Sequence, residues 1–177
     1  ILSFNGNKTI TTGGGGAILS NNLQLAKKIK HLSTTAKKNH PWQYKHDMLG
    51  YNYRMPNINA AIGCAQILKI KLILNSKTKL SKLYKKNFLD NSFVDFLDEP
   101  SNCKSNFWLQ TVILKKEYSH YKEKILNELN KNGYPSRPAW SLMHKLNYFR
   151  DCPKMNLECT NDLFDRIINI PSGPGLV

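Results

Sequence analysis

From Asn57 to about residue 87 apolar side chains recur at helical spacing, and no other stretch limits so strongly what the chain can become. Ile58, Ala61, Ile62, Ala65, Ile67 and Leu68 give a wide apolar face, continued by Ile70, Leu72, Ile73, Leu80, Leu83 and Tyr84. Asn75-Ser76 is a candidate break. A helix of this length links domains or lines an interface. The chain is therefore expected to divide at its end, into residues 1–87 and 88–177.

Before that helix, Ala17-Ile18-Leu19 reads as a short strand after a run of glycines. Asn21 is a candidate cap for a helix running from Asn22 to about Leu32, with Leu23, Ala26, Ile29 and Leu32 on one face. Residues 33–50 are polar, with Pro41, Trp42, Tyr44 and His46, and read as a long ordered loop or lid. After the helix, residues 107–114 alternate as a strand. Residues 118–132 fit a helix closed by Gly133. Pro135 and Pro138 mark an irregular stretch, and Ile167–Ile170 reads as another strand. The second part is thus a small α/β domain. The opening Ile1-Leu2-Ser3-Phe4 reads as the end of a buried strand, and the close is a Ser172-Gly173-Pro174-Gly175 turn. Both edges are expected to lie inside a longer protein.

Apolar residues are 41% of the 177, which excludes a disordered tail. No apolar stretch is long enough for a membrane span, and none has the form of a signal peptide. Cys64, Cys103, Cys152 and Cys159 are too sparse for a disulfide scaffold, so a reducing, cytoplasmic setting is expected. The net charge is +14, from 26 Lys plus Arg against 12 Asp plus Glu. That balance fits an anionic partner. It fits better a lysine-rich solvated surface, because only Arg54, Arg137, Arg150 and Arg166 are arginines, the better fork for phosphates and bases.

Two segments carry candidate chemistry. Lys8 stands between a strand end and the turn Thr11-Thr12-Gly13-Gly14-Gly15-Gly16. A lysine so placed reaches the crevice at strand ends where α/β proteins bind ligands, and its amine can condense with an aldehyde cofactor. The plain alternative is a solvated lysine. The glycines can cradle a phosphate or simply make a tight turn. They fit neither a Walker loop nor a dinucleotide fingerprint. Ser3, five residues ahead of Lys8, has a hydroxyl that can donate to a phosphate oxygen. The second segment is Gly50-Tyr51-Asn52-Tyr53-Arg54-Met55-Pro56-Asn57, where Asn52 and Arg54 stand just before a helix start. They can meet a phosphate or carboxylate, or form a local turn with a salt bridge. His31, His40, His46, His120 and His144 show no metal-ligand spacing, so no metal is expected. His46-Asp47 is a conceivable acid–base pair, but adjacent residues rarely aim together.

Residues 3–16, Ser3-Phe4-Asn5-Gly6-Asn7-Lys8-Thr9-Ile10-Thr11-Thr12 and the glycines, closely resemble the cofactor-lysine segment of the DegT/DnrJ/EryC1/StrS aminotransferases. Gly50-Tyr51-Asn52-Tyr53-Arg54-Met55 with Asn57 and Ala60-Ala61-Ile62-Gly63 resembles that family's second signature. The resemblance implies a partial fold-type I, aspartate-aminotransferase-like α/β chain: the end of the large domain and its linking helix (1–87), then an incomplete small domain (88–177). It implies pyridoxal phosphate as cofactor, with Lys8 forming the internal aldimine and moving the proton. Ser3 looks like a donor to the cofactor phosphate. Asn52, with Arg54 nearby, looks like its partner from the neighbouring subunit of a homodimer. His46 and Tyr53 are the substrate-pocket candidates. Glutamate would give its amino group to a keto group on a nucleotide-linked sugar, with neither nucleic acid nor membrane as partner.

The loop Ser33-Thr34-Thr35-Ala36-Lys37 and the stretch Arg137-Pro138-Ala139-Trp140 resemble the bacillosamine or legionaminic-acid branch. Departures are Gly14, where the family usually has an acidic residue, and Met48 after His46-Asp47. The family's upstream half, which carries the partner of the pyridine nitrogen, is not in these 177 residues. On its own the chain is expected to be poorly soluble and to show little or no transaminase activity. The competing readings are a truncated inactive remnant, a non-enzymatic binding module that kept the fold piece, and a basic nucleic-acid binder.

Overall fold

A hairpin opens the chain in this computed structural model, which describes residues 1–177. Strands β1 (Leu2–Ser3) and β2 (Gly16–Ala17) pair antiparallel, Leu2 opposite Ala17 and Ser3 opposite Gly16. Helix α1 (Leu23–Ser33) follows, and its cap is Asn22 rather than Asn21. The Asn22 side chain accepts from Leu25 N–H at 3.0 Å, while Ser20 Oγ accepts from Asn22 N–H at 3.1 Å and sets the turn.

Residues 34–54 double back on the end of α1 instead of forming a free lid. Thr35 N–H donates to Tyr51 O (2.9 Å), Tyr51 N–H to Leu32 O (2.7 Å) and Tyr53 N–H to Ser33 O (2.9 Å). Bridges join Thr34 to Asn52 and Lys37 to His46. Thr35 and Ala36 take positive φ (70° and 50°), and Ala36 is wholly buried. Gly50 is required opposite them, because a Cβ there would lie 2.4 Å from Thr35 C and 2.5 Å from Ala36 N. His31 Nε2 sits 2.6 Å from Asp47 Oδ1, and this hydrogen bond holds the Asp47 carboxyl below its ordinary range. A carboxyl so lowered stabilises the fold above its ordinary pKa, and that contribution is lost as pH falls through the folded value.

The expected long helix is two helices, α2 (Asn57–Leu68) and α3 (Ile70–Phe88). The break falls at Lys69, not at Asn75-Ser76. Lys69 has φ −99° and ψ 2°, and its N–H turns back to Gln66 O and Ile67 O. Asn75 and Ser76 remain helical because α3 is held by what it buries, Lys77, Leu80 and Ser81. Such packing outweighs the small propensity penalties of Asn and Ser. The chain forms two compact units, Ile1–Lys71 and Leu72–Val177, so nearly all of α3 belongs to the second.

That second unit is built on a sheet of order β3-β4-β6-β5, antiparallel throughout: β3 (Val94–Phe96), β4 (Gln110–Leu114), β5 (Arg137–Pro138) and β6 (Ile167–Ile170). Val112, Leu114, Ile168 and Ile170 form the core, and Tyr84 and Phe88 from α3 pack on it with Phe96. Ile125 and Leu126 of α4 (Lys122–Lys131) also cover it; α4 follows a 3-10 turn over Lys116–Tyr121 and ends before Gly133 at φ +80°. The sequence reading missed β3, β5 and α5 (Glu158–Arg166). The two strands are only 3 and 2 residues long. In α5, Leu163 and Phe164 are only half-buried, and Arg166 bonds Asp162 and donates to Leu114 O at 2.8 Å.

Where β4 begins and β6 ends, Lys77 reaches in from α3. Its ammonium donates to Ser172 O at 2.7 Å and Trp108 O at 3.2 Å, and the residue is 3% exposed. Gln110 N–H donates to Ser172 Oγ at 2.7 Å on the same sheet end. No single helix of the chain is long and apolar enough to cross a membrane.

Candidate functional site

Lys8 lies on the loop joining β1 to β2. Phe4 N–H donates to Gly15 O and Thr12 N–H to Phe4 O, both at 3.0 Å; Thr11 Oγ1 donates to Phe4 O at 3.1 Å. These bonds clamp the two arms together, so residues 5–10 project as a fixed arm. Lys8 N–H closes a turn onto Asn5 O at 3.0 Å, and Lys8 is half-buried. Ser3 Oγ, at the foot of the same arm, accepts from Asn5 N–H at 3.4 Å and keeps its own proton to donate.

The glycines have separable tasks. Gly13 and Gly15 take φ of +79° and +96°, which disfavours any side chain. At Gly16 a Cβ would stand 2.4 Å from Leu2 O, so strand pairing itself needs glycine. Gly14 has nothing within 4 Å of where its Cβ would be, so the turn takes a larger residue there. Gly16→Ala is therefore expected to destabilise the hairpin by about 1–3 kcal/mol. Gly14→Ala is expected to stay within about 0.5 kcal/mol of the parent. Thermal melting with hydrogen exchange at residues 2–17 checks both; equal effects at the two positions would contradict this reading of the turn.

Beside the glycines lies a cavity of ≈ 750 Å³, lined in part by Gly14, Gly16, Lys30, Tyr53, Arg54 and Asn59. Ser3, Lys8, His46 and Asn52 are not among its lining residues. Tyr53 stacks on Tyr51 at 5.2 Å, and both face outward. His46 and Asp47 aim apart: His46 Nδ1 meets Thr35 O at 2.7 Å while Asp47 bonds His31. Nδ1 thus carries the proton toward a carbonyl, and Nε2 is the nitrogen left for another group. No group of His, Cys, Asp and Glu able to hold a metal is present. Sequence reasoning overlooked His31, as the tie for Asp47, and Asn59. Nothing in residue type alone separates Asn59 from the chain's many other asparagines.

The donors present fit an aldehyde bearing a phosphate. A primary amine on a clamped arm suits the carbonyl. The Ser3 hydroxyl, and Arg54 with its permanent charge, suit the phosphate. Next to Lys8, Thr9 Oγ1 is buried without a partner in the chain, a polar atom of the kind a further group satisfies.

The profile of the DegT/DnrJ/EryC1/StrS aminotransferase family matches residues 1–177. GDP-perosamine synthase of Vibrio cholerae is 33% identical over 99% of the chain and 47% of its own length; the Escherichia coli O157:H7 protein of that name is 34% identical over 99% and 46%. The chain thus spans about half the length of the curated relatives it matches. Helicobacter pylori PseC, described as an aminotransferase involved in the biosynthesis of pseudoaminic acid, superposes with a TM-score of 0.91. Its identity is 23%, over 98% of the chain and 47% of PseC, and this likeness shows the shared α/β fold. The chain belongs to the DegT/DnrJ/EryC1/StrS aminotransferase family, and its cofactor is pyridoxal phosphate.

Proposed function

We propose that the protein transfers an amino group from glutamate to a keto group on a nucleotide-linked sugar, in the cytoplasm, with Lys8 as the residue that holds the cofactor covalently. The observation that carries this reading is the clamped arm, which fixes a half-buried lysine between a serine at its foot and a glycine turn. Pyridoxal phosphate supplies the reactive aldehyde and a ring that draws electrons from the reacting carbon.

The chain's own residues supply position and proton handling. Lys8 Nζ anchors the cofactor and, once released, carries the proton between the reacting carbons. Ser3 Oγ donates to the phosphate. Asn52 and Arg54 serve the phosphate held by a neighbouring subunit, in a homodimer with shared sites. The exposed apolar side chains of the first unit support such association: Ile58 is 78% and Leu68 87% exposed on α2, and Trp42 is 76% and Tyr44 80% exposed in the loop after α1. His46 Nε2 and the Tyr53 hydroxyl are the contacts offered to substrate. The sugar is of the bacillosamine or legionaminic-acid type, a reading that rests on residues 33–37 and 137–140.

The test is an assay of the full-length protein with glutamate and a panel of UDP- and GDP-linked keto-sugars. Amino-sugar and 2-oxoglutarate formed in equal amounts, and preference for a bacillosamine- or legionaminic-acid-type keto-sugar, are expected. Preference for another keto-sugar would overturn the branch, and amino-sugar formed without 2-oxoglutarate would overturn the donor. No amino-sugar from any member would overturn the reaction.

A further inference from the structure

The arm that carries Lys8 is held at one more place than a hairpin loop needs. Asn59, in the first turn of α2, donates from Nδ2 to Thr12 O at 2.5 Å, across 47 residues of sequence. One turn later comes Gly63, which is buried, and a Cβ built there would stand 2.8 Å from Thr12 Cγ2. Positions i and i+4 share a helix face, so donor and seat meet the same threonine. Thr12 is only 3% exposed.

Nothing in α2 itself employs the Asn59 side chain. A polar side chain at this position can reach back to the N–H of the capping residue. Here that residue is Pro56, which has no N–H, and α2 has no side-chain cap. The acceptor that Asn59 does meet is a backbone carbonyl, so the amide must present its NH₂ group. Arm and helix also enclose a small apolar cavity of ≈ 180 Å³, lined in part by Phe4, Ile10, Thr12, Met55, Gly63 and Ile67. With a void beneath it, the arm depends on its point ties.

We infer that Asn59 is a positioning residue for Lys8: by holding Thr12 in the seat left by Gly63, it sets where the lysine amine stands. The inference rests on the reading of Lys8 as the cofactor lysine. The loss of one such hydrogen bond corresponds to about a tenfold change in an equilibrium constant.

The experiment uses the full-length protein and its Asn59→Leu and Asn59→Gln variants. Three quantities are read: hydrogen exchange of residues 5–15 after the cofactor is removed, the dissociation constant for pyridoxal phosphate, and the pH midpoint of the bound cofactor's visible band. In Asn59→Leu, exchange is expected to quicken and affinity to weaken, each by about tenfold, with a displaced midpoint. Asn59→Gln, which keeps the donor, is expected to recover most of the parent's behaviour. A variant that merely loosens the fold would not move the midpoint of protein that remains folded. If Asn59→Leu does not fold, Gly63→Ala is used, with Thr12→Ser added to remove the opposing methyl. The single change is expected to reproduce the loss and the pair to reverse it.

Parent-like exchange and midpoint in Asn59→Leu, with the borohydride-fixed cofactor found on Lys8 of the parent, would overturn the positioning role and leave the role of Lys8 standing. Cofactor fixed on another lysine of the parent would overturn both.

Discussion

Lys8→Ala in the full-length protein is expected to lower the amino-transfer kcat by at least about 10³-fold, because one side chain both anchors the cofactor and moves the proton. Lys8→Arg is expected to fail as badly, since it keeps the charge and loses the nucleophilic amine. Single-turnover kinetics with added pyridoxal phosphate, together with the visible spectrum, measure this. The structure names the rival: Lys30 lines the cavity beside Gly14 and Gly16. If Lys8→Ala keeps parent-like turnover and Lys30→Ala abolishes it, the assignment moves to α1.

The largest effect on stability is expected at Lys77→Met, a loss of about 3 kcal/mol. Two opposed terms decide its sign. Burying an ammonium costs several kcal/mol, which the substitution relieves. But its hydrogen bonds reach the backbone carbonyls of Trp108 and Ser172, which no mutation removes. Leaving each without its charged donor costs about 1–3 kcal/mol, and the charge-assisted bonds themselves are lost. The loss is therefore expected to win, lowering the melting temperature by about 6–12 °C. An unchanged or higher melting temperature would contradict this account of the sheet end.

Lys77 also predicts a pH dependence. Burial pushes its pKa below the ordinary 10.5. Between the lowered folded value and 10.5 the unfolded chain binds more protons, so this group makes stability rise with pH across that window and level off above it. Tyr84 acts the other way. Its hydroxyl donates to Pro171 O at 3.1 Å and burial raises its pKa above 10.0, so its contribution is full below 10.0 and lost as pH rises through the folded value. In Lys77→Met the alkaline rise is expected to vanish while the later fall remains.

What the sequence disclosed follows from what is local. Strand Ile167–Ile170 was readable to the residue, since a short apolar run bounded by a turn needs no distant partner to be recognised. The α1 cap was read one residue early, because Asn21 and Asn22 offer the same carboxamide and only the bond to Leu25 N–H tells them apart. Strand β3 escaped because Val94-Asp95-Phe96 gains its identity from pairing with Leu114, Ile113 and Val112. The break at Lys69 was illegible for a like reason: lysine is a good helix former, and the turn shows only in its backbone, at φ −99° and ψ 2° with the N–H bent back to Gln66 O and Ile67 O. At the site, Lys8 and Ser3 could be placed on one arm because a glycine turn announces itself. The tie from Asn59 could not, because its acceptor is a carbonyl far along the chain.

The central claim is that Lys8 holds the cofactor, and one measurement tests it most directly. The full-length protein, purified from its natural source with pyridoxal phosphate, is reduced with borohydride and read by intact mass and peptide map. The account predicts one cofactor per chain, fixed to Lys8 in the peptide that contains Ser3-Phe4-Asn5. Cofactor fixed to any other lysine, or none fixed at all, would contradict it.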